Sequence, residues 1–173
     1  MLSSRDYVAC MSIRRATAAD AALLLEMLSM AADWRADSGV RPVEDVLAEP
    51  SLAHYAAEWP QDGDDGWVAE DANGRPVGAA WWRFFGSGDP GFGFVAQDVP
   101  EVSIAVRPQH RGRGVGSALM HRLISDAHEQ ALNGLSLSVE RENAALRLYA
   151  RLGFVEVGGS DDAATMLLRF SAE

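Results

Sequence analysis

The sequence has no lysine, one cysteine and no long apolar run, and each absence excludes a class of protein or site. Because Cys10 is the only cysteine, neither an internal disulfide nor a metal site built from cysteines is possible. No apolar stretch approaches the ~20 residues of a membrane helix, and the N-terminus lacks the basic and apolar segments of a signal peptide. We therefore expect a cytoplasmic protein with no membrane partner.

The chain is also poor in positive charge. It has 25 Asp and Glu residues against 15 basic residues, all of them arginine, and its formal net charge is −10. Nucleic-acid binding relies on clustered Lys and Arg that neutralise phosphates, so we expect no nucleic-acid partner. A small anionic ligand is compatible with this composition, because basic residues gather locally at Arg107, Arg111 and Arg113.

The length of 173 residues suits one domain with its own core. We expect an N-terminal tail over residues 1–10 and a single domain over residues 11–173. Apolar spacing predicts strands at 12–15, 67–69, 76–85, 102–106, 135–139, 154–157 and 164–170. It predicts helices at 17–34, with Thr17 and Asp20 as a capping box, at 51–59 with Ser51 as the cap, at 114–132, and at 144–152, where Gly153 is the left-handed cap and Phe154 packs back in a Schellman turn. Residues 37–50 break the periodicity, and the glycine-rich residues 86–93 predict a loop. Parallel pairing of the strands at 102–106 and 135–139 would make a βαβ unit.

The most informative segment is residues 107–119, where a strand, an Arg/Gly turn and an apolar helix follow one another. Three of the five residues from 112 to 116 are glycines, which let successive N–H groups turn toward one point. The helix adds its unpaired N-terminal donors and positive dipole end there. Arg111 and Arg113 add charged donors suited to bidentate phosphate contact. The segment therefore predicts a phosphate or pyrophosphate site.

Residue spacing argues against two commoner phosphate motifs. The Walker pattern needs Gly-Lys-Ser/Thr, whereas Gly116 is followed directly by Ser117. The dinucleotide pattern G-x-G-x-x-G also fails, because counting from Gly114 places Leu119 at the third glycine position. Counting from Gly112 places Ser117 there instead. A nucleotide triphosphatase and a nicotinamide enzyme are both disfavoured.

The remaining pattern, R/Q-x-x-G-x-G/A, is filled by Arg111, Gly114 and Gly116, and it resembles the acetyl-CoA signature of the GNAT superfamily of N-acetyltransferases. Residues 142–154 resemble the second signature of that superfamily, N-x-x-A-x-x-L-Y-x-x-x-G-F. This second signature is matched at Ala145, Leu148, Tyr149, Gly153 and Phe154. One departure is visible, because Glu142 occupies the asparagine position and Asn143 is displaced by one residue.

The resemblance implies an α/β (α+β), single-domain acyl-CoA N-acyltransferase fold. It implies a mixed, mostly antiparallel sheet of about six or seven strands, flanked by about four helices. Acetyl-CoA would be the co-substrate, with no metal; residues 111–117 would hold its pyrophosphate. The strand at 104–106 would pair with the pantetheine arm and offer a backbone N–H to the oxyanion. The expected cofactor-binding residues are Ile104, Ala105, Val106, Arg111, Gly112, Arg113, Gly114, Val115, Gly116, Ser117 and Asn143.

Two residues are candidates for catalysis. The resemblance places Tyr149 near the cofactor sulfur, where its phenol would protonate the leaving thiolate as a general acid; the alternative is a tyrosine that only packs in the core. Glu101 matches the position of a general base that often acts through water; the alternative is a solvated residue at a strand end. Asp98 and Ser103 are weaker candidates for the base. Asn143 either caps the following helix or caps it and also binds the pantetheine arm.

The function implied is acetyl transfer from acetyl-CoA to a primary amine by direct attack in a ternary complex. The acceptor would be a small molecule or a peptide, and the protein a monomer or homodimer. The alternatives are a non-catalytic acyl-CoA binding or sensing domain, which needs neither acid nor base, and a transferase that uses another acyl-CoA.

Overall fold

The computed structural model of the chain describes residues 7, 10–34 and 41–170. Apart from Tyr7 and Cys10, the predicted tail over residues 1–10 lies outside the described residues. Among the helices of the described ranges, none combines the length and apolar character that crossing a bilayer requires.

The described residues form seven strands and five helices. The strands are β1 (Ser12–Arg15), β2 (Asp65–Glu70), β3 (Pro76–Arg83), β4 (Glu101–Val106), β5 (Gly134–Glu140), β6 (Val155–Gly159) and β7 (Ala163–Arg169). The helices are α1 (Ala21–Ala32), α2 (Val43–Ala48), α3 (Pro50–Ala53), α4 (Val115–Glu129) and α5 (Ala145–Arg151), with 3₁₀ turns at Ala18–Asp20 and Pro108–His110. All seven strands belong to one sheet, in the order β1-β2-β3-β4-β5-β7-β6.

The predicted fold class is confirmed by this sheet. Strand β4 pairs with β5 in parallel, as the βαβ prediction requires, since α4 lies between them in the chain. The pairs β1–β2, β5–β7 and β6–β7 are antiparallel. The sheet is therefore mixed.

The chain divides into two compact units, the first made of Met1–Trp81 and Ser103–Leu123. Within its described residues, the apolar stripe of α1 buries Leu24, Met27 and Leu28, at the spacing of three and four that the sequence shows. The large side chains that this unit buries completely also include Val46, Val68, Trp81, Leu119, Met120 and Leu123. The Trp81 indole N–H donates to the carbonyl oxygen of Tyr55 at 2.8 Å, so its burial leaves no unsatisfied donor.

Arg107, directly after β4, fixes the end of that strand. Its backbone N–H donates to Val77 O at 2.9 Å, and its Nε donates to Pro76 O at 2.8 Å. Its Nη1 donates to the Glu26 carboxylate of α1 at 2.7 Å. These contacts join β4 to β3 and to α1, and they fix the point at which the predicted phosphate turn begins.

The second unit contains Trp82–Val102 and Ile124–Glu173. Its core includes Trp82, Leu135, Leu137, Phe154 and Leu167, all at most 2% exposed. The β5–β7 ladder runs along the whole of β5, from Gly134 opposite Arg169 to Glu140 opposite Ala163. This unit supplies a rigid frame for α5.

The end of α5 follows the sequence prediction closely. Gly153 has φ +95°, the left-handed conformation of a helix C-terminal cap. Its N–H donates to Ala150 O at 3.1 Å, and the Phe154 N–H donates to Tyr149 O at 3.0 Å, which together make a Schellman motif. The Phe154 and Tyr149 rings meet edge to face, with centroids 6.0 Å apart. The predicted stop at Gly153 is confirmed.

Two local predictions are wrong. The sequence predicts no helix over residues 37–50, but the described part of this segment contains α2, whose start carries Pro42, Glu44 and Asp45. Acidic residues in a first turn stabilise a helix through its dipole, and α2 buries Val46, which gives it a tertiary anchor. Ser51 is not a cap, because α3 already begins at Pro50, a residue well suited to a first helical position.

A partly buried ion pair holds the start of α1. Asp20, 7% exposed, accepts hydrogen bonds from Arg14 Nη2 at 2.8 Å and from the Thr17 N–H at 2.8 Å. This confirms the capping box predicted at Thr17 and Asp20. The hydrogen bonds from the Arg14 guanidinium lower the pKa of Asp20 to about 2.

The lowered pKa of Asp20 predicts a pH-dependent contribution to stability. A carboxyl with a depressed folded-state pKa stabilises the fold above its unfolded pKa of ~4, and this contribution is lost as the pH falls toward about 2. Asp20→Asn should therefore lower the free energy of unfolding by ~1–3 kcal/mol at pH 7, and the difference from wild type should shrink below pH ~4. Urea denaturation at pH 7, 4 and 3 measures this.

Glu156→Gln is the control for this prediction, because Glu156 pairs with Arg141 on an exposed surface. Its effect at pH 7 should be much smaller. Equal losses in the two variants would contradict the role assigned to the Asp20 pair.

Candidate functional site

The predicted phosphate turn is built as the glycine pattern indicates. After β4 the chain makes a 3₁₀ turn at Pro108–His110 and enters α4 at Val115. Gly112 has φ +68° and Gly114 has φ +89°. Residues with a Cβ rarely adopt these backbone conformations. The glycines at these two positions are therefore required by the backbone path.

The start of α4 supplies backbone donors. The Ala118 N–H donates to Gly114 O at 3.0 Å, which is the first bond of the helical ladder. The N–H groups of Val115, Gly116 and Ser117 precede that bond, so they belong to the donors that a helix leaves without an intrahelical partner. A helix of 15 residues also presents the positive end of its dipole here. An anion fits this position.

Arg111 stabilises the turn through two hydrogen bonds to backbone carbonyls. Its Nε donates to Val106 O at 3.0 Å, and its Nη1 donates to Trp34 O, just beyond α1, at 2.9 Å. These two bonds use two of the five N–H donors of a guanidinium, and three remain for a phosphate. Arg111 thus combines a structural contact with the predicted phosphate contact.

Arg113 and His110 both contact Tyr7, from the segment predicted to be a tail. The Arg113 guanidinium carbon lies 4.9 Å from the Tyr7 ring centroid. The Tyr7 hydroxyl hydrogen-bonds His110 Nδ1, and the two rings lie with centroids 5.8 Å apart. Sequence reasoning missed Tyr7, because a single tyrosine over 100 residues away along the chain gives no local signal.

Residues 104–106 lie in the last part of β4, within the first unit. A Cβ placed on Gly78 of β3 would come within 2.9 Å of Ala105 O, so the backbone of β4 leaves no room for a side chain at this position. Ala105 is 6% exposed, whereas Ile104 and Val106 are half-buried. Close packing against β3 fixes the backbone that the resemblance assigns to the pantetheine arm.

Glu101, the first residue of β4, lies within the second unit. It is 3% exposed and stands opposite Ser136 in the parallel register, where the Ser136 N–H donates to Pro100 O at 3.0 Å. Its Oε1 accepts a hydrogen bond from the Gly93 N–H at 2.8 Å. The alternative of a solvated residue at a strand end is therefore wrong. The fold buries this carboxyl group and places the Gly93 N–H within hydrogen-bond distance of it.

Gly93 fits this place because it has no side chain. A Cβ at Gly93 would lie 2.4 Å from the carbonyl carbon of Leu137 and 2.6 Å from the Ser138 nitrogen. The segment after β3 therefore packs directly on the backbone of β5, and the Gly93 N–H reaches Glu101 from there. The glycine-rich composition of residues 86–93 predicted a loop, but not this contact.

Tyr149 lies on α5 and is 7% exposed. Burial raises its pKa above the ordinary value of a phenol, so the hydroxyl stays protonated at neutral pH. Within the described residues, no hydrogen bond engages this hydroxyl, although buried tyrosine hydroxyls usually find a partner. Tyr149 can pack against Phe154 and still donate a hydrogen bond to a ligand. Its catalytic role stays a prediction.

Asn143 caps the first turn of α5. Ala144 already has helical dihedral angles, φ −59° and ψ −20°, and the Asn143 Oδ1 accepts the Ala145 N–H at 2.9 Å. This confirms the capping part of its predicted role. The contact with the pantetheine arm stays a prediction.

The structure distributes the predicted site residues over the two units. The residues of the turn and of 104–106 lie in the first unit, and Glu101, Asn143 and Tyr149 lie in the second. The weaker base candidate Asp98 is exposed and accepts a hydrogen bond from the Asn133 amide at 2.6 Å. Burial thus distinguishes Glu101 from Asp98.

Comparison with known proteins gives a consistent family. A model of the acetyltransferase (GNAT) family matches residues 28–154. Streptothricin acetyltransferase of Streptomyces lavendulae is 35% identical over 127 residues, which are 67% of this chain and 64% of that protein. The L-amino acid N-acyltransferase MnaT of Escherichia coli K12 is 33% identical over 149 residues, 84% of this chain and 80% of that protein.

The chain thus spans less than two thirds of the streptothricin enzyme and most of the amino acid enzyme. Among solved structures, yncA of Salmonella typhimurium was determined with its cofactor acetyl-CoA. It matches with a TM-score of 0.67 and 25% identity, over 95% of this chain and 96% of that chain. The similarity therefore extends over nearly all of both folds.

The packing of Gly93 gives a testable prediction. Gly93→Ala should destabilise the protein by more than ~1 kcal/mol, because its Cβ would overlap the backbone of β5, which cannot move away as a flexible side chain can. Gly88→Ala is the matched control: it lies in the same glycine-rich segment with open space around it. Chemical denaturation of both variants measures the difference, and equal stability of the two variants would contradict it.

Proposed function

The chain belongs to the acetyltransferase (GNAT) family, and we propose that it transfers an acetyl group from acetyl-CoA to a primary amine. The observation that carries this proposal is the left-handed turn at Gly112 and Gly114. It includes the cations Arg111 and Arg113 and ends at the backbone donors that begin α4, which together suit an anion. The pyrophosphate of coenzyme A has the charge and the geometry for such a site.

We propose a small-molecule amine as the acceptor. Two relatives are named for acceptors of this kind, streptothricin and L-amino acids. The net charge of −10 also favours a cationic amine over an anionic partner, since it attracts positive charge to the protein. A peptide amine is the second class to test.

The thioester of the co-substrate supplies an activated acyl group, and the residues of the protein bind and orient it. The N–H groups of residues 115–117 and the two arginines would hold the pyrophosphate. The backbone of 104–106 would pair with the amides of the pantetheine arm and donate an N–H to the oxygen on which negative charge develops. Asn143 would contact the same arm.

Glu101 is proposed as the general base. An alkyl ammonium has a pKa near ~10.4, so only a small fraction of the acceptor is ready to attack at pH 7, and a proton acceptor raises the rate. The buried Ser136 hydroxyl beside Glu101 in the register has no hydrogen-bond partner among the described residues. A bound water between the two would satisfy that hydroxyl and carry the amine proton to the carboxylate.

Tyr149 is proposed as the group that donates to the sulfur. As the C–N bond forms and the C–S bond breaks, the leaving thiolate receives the phenolic proton, and the tyrosine regains a proton from solvent. A phenol whose pKa is raised by burial is a weaker acid than usual. Full proton transfer to the thiolate costs about 1.4 kcal/mol for each unit by which the pKa of the phenol exceeds that of the thiol. Tyr149 therefore acts best by hydrogen-bonding the thiolate as it forms, with proton transfer following.

The proposal is tested by thiol release from acetyl-CoA across a panel of amino acids, polyamines, aminoglycosides and peptides, beside calorimetric titration of acetyl-CoA alone. Release that depends on an amine supports the transferase. Tight binding without release for any amine would favour the acyl-CoA sensing domain, and the same panel with propionyl- and succinyl-CoA tests the alternative donors.

Replacing Tyr149 tests its donor role. Tyr149→Phe should lower kcat by ~10²–10⁴-fold while the Kd for acetyl-CoA stays close to wild type, because only the hydroxyl is removed. The wild-type pH–rate profile should show no alkaline fall from Tyr149 below pH ~10, since burial raises its pKa. Tyr55→Phe, at the other buried tyrosine, is the control and should retain kcat. Wild-type kcat in Tyr149→Phe would refute the role.

Replacing Glu101 tests the base. Glu101→Gln keeps an oxygen that accepts the Gly93 N–H, so the fold should persist while kcat/KM for the amine falls by ~10²-fold at pH 7. The deficit should shrink toward pH ~10, where the free amine is abundant. Asp98→Asn, at an exposed carboxylate of the same segment, should change little. The opposite ranking of the two variants would assign the base to Asp98.

A further inference from the structure

Tyr7 contacts the phosphate turn through two different groups. Its hydroxyl hydrogen-bonds His110 Nδ1, and its ring lies against the Arg113 guanidinium at 4.9 Å. Tyr7 is half-buried, and its carbonyl oxygen accepts the Cys10 N–H at 3.1 Å. Within the described residues, the side chain of Tyr7 makes its contacts with His110 and Arg113. Tyr7 lies before residues 28–154, which match the family model.

The contact with Arg113 orients a cation without using its donors. A guanidinium stacked on an aromatic ring presents its face to the ring, and its N–H groups point outward in the plane of the fork. Arg113 is exposed and lies between Gly112 and Gly114, which both have a left-handed backbone. The ring of Tyr7 therefore restricts a long, flexible side chain and leaves its N–H groups available to an anion.

The contact with His110 has a similar effect. When the Tyr7 hydroxyl donates to Nδ1, the proton of the neutral imidazole lies on Nε2, which is then a donor on the opposite side of the ring. His110 ends the 3₁₀ turn that leads into the glycines. Tyr7 thus fixes the orientation of two side chains that flank the same anion site.

We infer that Tyr7 is a positioning residue of the cofactor site, which holds Arg113 and His110 in the orientation that binds the phosphate groups of coenzyme A. This inference rests on the proposed function, since it assumes the same ligand at the same turn. It adds a residue from the N-terminal segment, outside the family match, to the recognition of the phosphates. Because Tyr7 acts through Arg113 and His110, its removal weakens binding of the co-substrate and leaves the chemical step intact.

The test uses two ligands and four forms of the full-length chain. Calorimetry gives the Kd of acetyl-CoA and of adenosine 3′,5′-bisphosphate, which has phosphates but no thioester arm. The forms are wild type, Tyr7→Phe, Tyr7→Leu and Arg122→Ala. Arg122 is the matched control, because its guanidinium makes the same kind of contact with the Trp67 ring, at 5.4 Å, inside α4 and away from the turn.

The expected result is graded. Tyr7→Phe keeps the ring and loses the hydroxyl, so both Kd values should rise about threefold. Tyr7→Leu loses both contacts, so both should rise about tenfold. The KM for acetyl-CoA should rise in parallel, kcat should stay unchanged, and Arg122→Ala should match wild type. In ligand-free protein, the ring nitrogen NMR shifts of His110 should already move in Tyr7→Phe.

Several outcomes would overturn the inference. Wild-type affinity in Tyr7→Leu would show that the contact has no role in binding, and tighter binding would show that Tyr7 obstructs the site. An equal loss in Arg122→Ala would indicate a general effect of stability or charge. If wild type binds neither ligand, the proposed function fails and this inference fails with it. If wild type binds both ligands and the Tyr7 variants bind them equally tightly, the inference alone fails.

Discussion

The candidate site depends first on the backbone path from β4 into α4. At Gly112 and Gly114 this path is left-handed, a conformation that costs a residue with a Cβ about 1–2 kcal/mol. The path brings the first N–H groups of a 15-residue helix to the end of a buried strand, where the helix dipole adds positive charge. In an acidic protein, these oriented dipoles and two arginines make one local position suited to an anion.

Strand β4 carries the two ends of the proposed chemistry. Its last residue leads into the phosphate turn, and Arg107 holds that end through Pro76, Val77 and Glu26. Its first residue, Glu101, is buried beneath Gly93 and opposite Ser136. The end of β4 thus fixes the start of the turn within the first unit, and its first residue holds the proposed base within the second unit.

The parts of the fold that sequence predicted are those set by local rules. Glycine spacing indicated the turn at 112–116, and the pair Gly153 and Phe154 indicated the Schellman end of α5, because neighbouring residues decide both. The burial of Glu101 was not predictable, since it depends on Gly93 packing against the distant backbone of β5. The contact of Tyr7 with His110 and Arg113 spans over 100 residues and leaves no pattern in the sequence. Local rules thus predicted the backbone of the turn and of the helix end, and tertiary contacts determined which carboxylate is buried.

The central claim is direct transfer of an acetyl group from acetyl-CoA to an amine. The measurement that tests it most directly is mass spectrometry of acceptor and protein after reaction with acetyl-CoA labelled with ¹³C in the acetyl group. If transfer is direct, the intact labelled acetyl group appears on the acceptor nitrogen and the protein carries none. Label on the protein, or label released only as free acetate, would contradict it.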